Sequence, residues 1–325
     1  SLLEAGGEAL GPVPNRRWAA DLVDRDTARK DRTYCGVGHF LDDIDAFDAE
    51  FFSMSAKEAA QTDPQQRVFL EQAWRALEEA GLNRERVSGQ RVGVFVGAGP
   101  SGYEHRMDRA GAAREAQPFW GNDSSVLAAR ISYHLDLRGP SLAVNTACSS
   151  SLVALHLACE SIRAGDCETA LAGGVFLMLD EQYYVVASNA TMLAPDGRCK
   201  TFSAAADGFG PGEGVGVLVL RRLSDALADG DPVLGVIRGS AINQDGRTNG
   251  ITAPNGRAQT EVVLRAWQAA GIDPRDIELV EAHGTGTRLG DPIEVDALTT
   301  AFRTRTADTG FCALGSIKSN IGHTA

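Results

Sequence analysis

RVGVFVGAG (91–99) reads as a strand entering a glycine turn, and three short runs are apolar almost without interruption: ALAGGVFLML (170–179), VGVLVLRRL (215–223) and PVLGVIRGSAI (232–242). A strand with one wet face alternates apolar and polar residues. Unbroken runs of this length predict strands covered on both faces. Segments of helical period stand between them. DPQQRVFLEQAWRALEEAG (63–81) opens with Asp63 as cap, Pro64 at the first helical position and Gln66 at capping-box spacing. Phe69, Ala73, Leu77 and Ala80 then share one face, and Gly81 stops the helix. SSVLAARISYHL (124–135), CSSSLVALHLACESIRAG (148–165), RAQTEVVLRAWQAAG (257–271) and DPIEVDALTTAF (291–302) repeat that period, and SLAVNTA (141–147), IELVEAHG (277–284) and CALGSIKSN (312–320) read as further strands. The alternation predicts an α/β fold with helices on both sides of mixed sheets.

Charge and cysteine usage exclude several functions. The net charge of −12 argues against a nucleic-acid partner or an anionic membrane surface, both of which need clustered Lys and Arg. The opening SLLEAGGEAL has no basic stretch or long apolar core of a secretion signal. No apolar run approaches the ~20 residues that span a bilayer. Cysteines 35, 148, 159, 167, 199 and 312 form no CxxC pair and no cluster with histidines, so neither a metal site nor a disulfide framework is expected.

Three strand ends carry reactive residues. In VNTACSSSL a strand gives way to a helix at or beside Cys148. That position exposes the thiol at a strand's carboxyl end and sets it near the positive end of a helix dipole, which favours thiolate. Thr146, Ala147, Ser149 and Ser150 are small enough to admit a thioester. One cysteine at a helix start is by itself more often structural, and Cys159, inside the helix, reads as packing. In LVEAHGTGTRLGDP, His283 stands where a strand enters a turn rich in glycine, with Gly284, Gly286 and Gly290 free to adopt the backbone shapes that close a pocket. In GSIKSNIGH, Lys318 and His323 follow another apolar strand. Crevices outside the carboxyl ends of strands are where open α/β sheets bind ligands. Either histidine alone is as readily structural as functional; the set points to a thiol and two imidazoles serving one substrate. Lys318 is read as organising the histidines, with Glu294 as its ionic partner, since a buried unpaired lysine is costly. His39, His105, His134 and His156 read as surface or packing residues. GFGPGEGVG (208–216) lacks the strand–turn–helix setting of a nucleotide site and reads as turns bordering a pocket.

These three segments, in this order and at these separations, resemble the active-site motifs of β-ketoacyl synthase (ketosynthase) domains of modular type I polyketide synthases. The resemblance runs over essentially the whole chain, through DPQQR (63–67), GND…AARISYHLDLRGPS (121–141), APDGRCKTFSAAADGF (194–209) and NQDGRTNGITAPN (243–255). FCALGSIKSNIGHT is similar to ketosynthases of assembly lines with separate, trans-acting acyltransferases. The resemblance implies a thiolase-like fold of two pseudo-symmetric layered halves (α-β-α-β-α). Residues 1–230 would form the half with the nucleophile, and 231–325 the start of the half with both histidines. Against the family pattern the chain looks clipped at both ends, so that by itself it is expected to be poorly soluble and inactive. Asn145 stands where the family usually has Asp, a change expected to be tolerated.

The implied activity is that of an acyltransferase forming carbon–carbon bonds. Cys148 would take an acyl chain from the phosphopantetheine arm of an acyl carrier protein. His283 and His323 would stabilise the enolate of a decarboxylating malonyl-type extender. The backbone N–H of Cys148 would serve an oxyanion hole. No cofactor is expected on the domain itself. A homodimer, neighbouring polyketide synthase domains and a cytoplasmic location are implied as well. The alternative is a non-elongating module that only receives and passes a chain. Such relatives commonly lack the histidine of HGTGT, so the presence of His283 favours elongation. A degradative thiolase would pair its cysteine with a second one, and a cysteine hydrolase has no use for two histidines and a lysine in a decarboxylation site.

Overall fold

The apolar runs at 91–99, 170–179 and 215–223 become neighbouring strands of one sheet; the first two are buried almost throughout, whereas the third, expected to be covered on both faces, lies at the end of the strand order and holds no buried residue, with Leu218 52% exposed. The structure is a computed structural model and describes residues 2–18, 20–24, 26, 29–112 and 114–325. In chain order, the elements that matter begin with β1 (Leu10–Pro12), β2 (Val37–His39), α1 (Pro64–Glu79), β3 (Val92–Ala98) and α2 (Ser124–Leu135). They continue with β4 (Ser141–Val144), α3 (Ser150–Ala164), β5 (Thr169–Phe176), β6 (Gly214–Arg221) and α4 (Gly256–Ala270). The last are β7 (Leu279–Glu281), α5 (Gly290–Arg303), β8 (Ala313–Gly315) and α6 (Lys318–Ile321).

The chain groups into two compact units, each assembled from separate segments. One comprises Leu41–Gln182, Glu213–Val236 and the last two residues. Its sheet has the order β4-β3-β5-β6; β3 is parallel to β4 and β5, and β6 is antiparallel to β5. The period of two sorts β3 cleanly. Val92, Val94, Val96 and Ala98 join α1 and α2 in one core, whereas Phe95 joins Ala154, Ala158 and Ile162 of α3 in another. Phe69 and Leu70 of α1 are fully buried, each contributing about 1.5–3 kcal/mol of transfer free energy. Asp63 caps α1, accepting from the Gln65 N–H at 2.8 Å. The two glutamines behind it reach further. Gln65 donates to Gly99 O (2.9 Å) and accepts from the Leu177 N–H (3.0 Å), tying together the chain beyond β3 and β5. Gln66 accepts from Arg130 Nε (2.7 Å) and donates to Asp123 O (3.2 Å), pinning α2 and its entry turn.

The other unit comprises the segment ending at Phe40 together with Tyr183–Gly212 and Ile237–His323. It holds the antiparallel pair β1-β2, the parallel pair β7-β8, and α4 packed on α5. One expectation fails in the segment 232–242, of which residues 232–236 belong to the first unit. The run 232–242 is not a strand: it forms no ladder among the described residues, and Leu234 is 98% exposed. Its backbone passes α4 instead, so close that a Cβ on Gly239 would lie 2.8 Å from Ala266 O. An apolar pattern reports a preference for burial, but a strand also needs a neighbour to accept its hydrogen bonds. No helix among the described residues is long and apolar enough to cross a membrane.

Candidate active site

The cysteine turn lies between the end of β4 at Val144 and the start of α3 at Ser150. Short polar side chains shape it. Asn145 Oδ1 accepts from the Ala147 N–H at 3.1 Å, so the amide at this position makes a hydrogen bond that the usual carboxylate would also make. Ser150 Oγ accepts from the Thr146 N–H (2.9 Å) and donates to Ala147 O (2.6 Å). Ala147 is held at φ +53°, a left-handed conformation that costs an L-residue roughly 1–2 kcal/mol. Ser149 turns its hydroxyl back to Thr146 O at 2.9 Å and leaves α3 without a side-chain cap. The result is an exposed Cys148 two residues before the first turn of a helix. Cys35, Cys167 and Cys199 are buried, and burial raises the pKa of Cys35 and Cys199. The start of α3 rests directly on the sheet at Gly97, where a Cβ would lie 2.5 Å from the Ser150 carbonyl carbon and the Ser151 nitrogen.

Both histidines lie in the other unit, His283 two residues beyond β7 and His323 just beyond α6, the short helix that follows β8. Those strands are parallel, with Glu281 opposite Gly315, so the two turns leave from the same end. Ile317 N–H donates to Glu281 Oε1 at 2.8 Å and ties one exit to the other. The His283 and His323 rings stand edge to face, centroids 5.4 Å apart. His323 is buried, and Phe209 packs on it at 5.1 Å. Burial, then His283, then Lys318 push the pKa of His323 down to about 3. The His283 ring keeps contact with solvent, yet its crowded surroundings and Lys318 lower its pKa as well, against the opposing pull of Glu294 and Asp291. At neutral pH both are uncharged imidazoles, each able to donate one N–H.

Lys318 opens α6 and acts on both rings through its charge, but the expected ion pair with Glu294 is not formed. The Glu294 carboxylate instead accepts two consecutive backbone N–H groups, those of His283 at 2.6 Å and Gly284 at 2.8 Å. Backbone amides one residue apart fit a carboxylate's two oxygens, and a flexible lysine at a distance competes poorly with them. Asp291, not among the residues expected at the site, is buried and makes the parallel connection. It accepts from the Gly286 N–H (3.1 Å) and the Phe202 N–H (2.7 Å), bracing the histidine turn against the 194–209 segment. Thr201 Oγ1 adds a bond to Gly284 O at 2.7 Å. Gly286 sits at φ +77°, with a would-be Cβ 2.7 Å from Lys200 N, so only glycine fits there. A signal for Asp291 was present, since an acidic residue in the first turn of a helix is placed to meet backbone N–H groups.

Comparisons with known proteins identify the family. The family model "Beta-ketoacyl synthase, N-terminal domain" matches residues 1–226, and "Beta-ketoacyl synthase, C-terminal domain" matches 234–325. The chain is 50% identical over 325 residues to the pikromycin polyketide synthase component PikAII of Streptomyces venezuelae, covering 99% of this chain and 9% of that protein. It is 44% identical to polyketide synthase PksN of Bacillus subtilis, covering 99% of this chain and 6% of that protein. Among solved structures, the ketosynthase from module 6 of the bacillaene synthase of Bacillus subtilis 168 superposes with a TM-score of 0.92 at 43% identity. That match covers 99% of this chain and 54% of the solved one. The oxazolomycin ketosynthase domain OzmH KS7 of Streptomyces albus JA3453 superposes with a TM-score of 0.93 at 41% identity, covering 98% and 55%. The fold is thus thiolase-like α/β, and the chain spans about half the length of these ketosynthases and under a tenth of these two curated synthases.

Proposed function

The chain belongs to the β-ketoacyl synthase family, and on that premise we propose that it is an elongating ketosynthase of a polyketide assembly line, with Cys148, His283 and His323 as its catalytic residues. Cys148 attacks an acyl thioester on the phosphopantetheine arm of an acyl carrier protein; the pantetheine thiol leaves and the chain rests on the cysteine. A malonyl-type extender on a carrier protein then loses CO₂, and its thioester oxygen takes up the enolate charge. The N–H groups of His283 and His323 hold that oxygen. The enolate carbon attacks the Cys148 thioester, the Cys148 backbone N–H stabilises the developing oxyanion, and the thiolate departs to leave a β-ketoacyl product. Lys318 and Glu294 support the histidines, the first by its charge and the second by holding the turn. No bound cofactor is needed, because the substrates arrive on their own carrier arms. The half with the nucleophile is assigned to 1–230 and the start of the half with the histidines to 231–325, a division supported by the two family models meeting in this region. A homodimer, carrier proteins and neighbouring synthase domains are the proposed partners. The cytoplasm, which keeps thiols reduced, is the proposed location.

The observation that carries this reading is the pair of imidazoles with ring centroids 5.4 Å apart, with the pKa of His323 lowered by burial and that of His283 by its crowded surroundings and Lys318. Losing one oxyanion donor typically costs about 10²–10³ in rate. In the full-length protein, His283→Ala is expected to abolish condensation and leave self-acylation of Cys148 in place. Equal loss of both steps would show that the histidine does not act on the enolate.

A further inference from the structure

A third histidine lies beneath His323, and no role in the reaction has been given to it. We propose that His39 is a positioning residue for His323, acting through Pro211 and Gly322; the inference rests on the reading of His323 as an enolate donor.

His39 closes β2, and its side chain is 2% exposed. Its backbone N–H donates to Pro211 O at 2.9 Å, and its ring Nδ1 lies 3.2 Å from the same oxygen. A carbonyl only accepts, so Nδ1 carries the hydrogen and Nε2 holds the lone pair. The residues flanking Pro211 hold His323 from the opposite side. His323 N–H donates to Gly210 O at 2.7 Å, and Gly212 N–H donates to His323 O at 2.9 Å. Residues 210–212 are therefore a central rung with His39 on one side and the backbone of His323 on the other. The contact is also direct. Gly322, at φ +74°, presses on the ring so closely that a Cβ there would lie 2.5 Å from Nδ1. The ring is both the floor under the residue before His323 and the clamp on the strand that pairs with it.

Packing alone does not explain an imidazole here. Nε2 is buried without a hydrogen-bond partner among the described residues, and an orphaned polar atom of that kind costs about 1–3 kcal/mol. A leucine of similar size would fill the space without that cost. What leucine lacks is the Nδ1–H, the second hydrogen bond onto Pro211 O. Burial also lowers the pKa of His39, with Glu8 acting against that shift and Arg198 with it, so the ring stays a neutral, one-donor group. The bond to Pro211 is thus the one polar function visible for the side chain, and it bears on the backbone that aims His323.

The test uses three variants of the full-length protein. His39→Leu keeps the bulk and removes the donor. His39→Asn returns a donor, because its amide nitrogen takes the place of Nδ1. Gly322→Ala disturbs the contact from the other side and serves if His39→Leu does not fold. CO₂ release from a malonyl-carrier protein reports on the histidines, and acyl transfer onto Cys148 reports on the thiol. His39→Leu and Gly322→Ala are expected to slow CO₂ release by about ten- to a hundred-fold, the cost of a small misplacement of a catalytic group. Self-acylation should stay at the parental rate, and His39→Asn should recover most of the lost decarboxylation. The proposal is overturned if His39→Leu releases CO₂ at the parental rate, slows both steps by one factor, or is not rescued by asparagine. His323→Ala, measured alongside, separates the two levels. If it is impaired while His39→Leu is not, only the positioning role fails; if it decarboxylates normally, the donor reading of His323 fails first and takes this one with it.

Discussion

Removing the carboxylate of Glu294 should disable the histidine turn while sparing the cysteine. Its two oxygens receive the N–H groups of His283 (2.6 Å) and Gly284 (2.8 Å), the amides that set the direction in which the His283 side chain leaves the backbone. Hydrogen bonds to a charged group are worth about 1.5–3 kcal/mol each. Glu294 is only half-buried, so water can replace part of what is lost and the lower figure applies. Glu294→Ala then loses about 3 kcal/mol from the local structure, and Glu294→Gln, which keeps one acceptor, about half of that. A turn loosened to this extent mispositions the donor without deleting it. Decarboxylation should fall about ten- to a hundred-fold in the alanine variant, short of the ~10²–10³ expected for losing the donor outright. The assay is CO₂ release from malonyl-carrier protein beside the rate of acyl transfer to Cys148, with denaturant unfolding as the measure of stability. Parental CO₂ release in Glu294→Ala, or a proportionate loss of acyl transfer, would refute the reasoning.

Two further predictions concern proton linkage and packing. His323 titrates at about 3 in the folded protein, so below its unfolded value near 6.5 the unfolded chain binds a proton that the native one does not. Its contribution to stability is complete above that range and is lost as pH falls, by about 1.4 kcal/mol per unit. Unfolding measured at pH 7 and at pH 5 should show the parent losing about 2 kcal/mol relative to His323→Asn, and a constant difference would contradict the burial argument. Gly97→Ala places a methyl group 2.5 Å from the start of α3 and should shift the cysteine turn at a cost of about 1–3 kcal/mol. Slower acylation of Cys148 by thioester surrogates is the expected readout, and unchanged acylation would show that the helix start does not need that glycine.

Local signals are legible in the sequence and tertiary choices are not. The Asp63 cap, the Pro64 start and the apolar face through Phe69 and Leu77 are properties of neighbouring residues, and the helix forms as they direct. The strand-to-helix break around Cys148 was visible for the same reason. Glu294 shows where such reading stops. The need of a buried lysine for a partner points to this carboxylate, but two backbone amides take it, and sequence does not display amides. The run 232–242 shows the same limit, because apolar composition says nothing about whether a ladder partner is at hand. His39, expected at the surface or in packing, is buried; its bond to Pro211 crosses 172 positions of the chain and leaves no local trace.

In the proposed function, the thiol of Cys148 and the two imidazoles serve one carbon–carbon bond. The most direct measurement loads the full-length protein with an acyl thioester surrogate, adds malonyl-carrier protein, and follows both proteins by intact mass with peptide mapping. The acyl mass should appear on Cys148 and then vanish in step with CO₂ release, as a β-ketoacyl mass appears on the carrier. An acyl group mapped to another cysteine, or lost from Cys148 to water with no extended product, would contradict it.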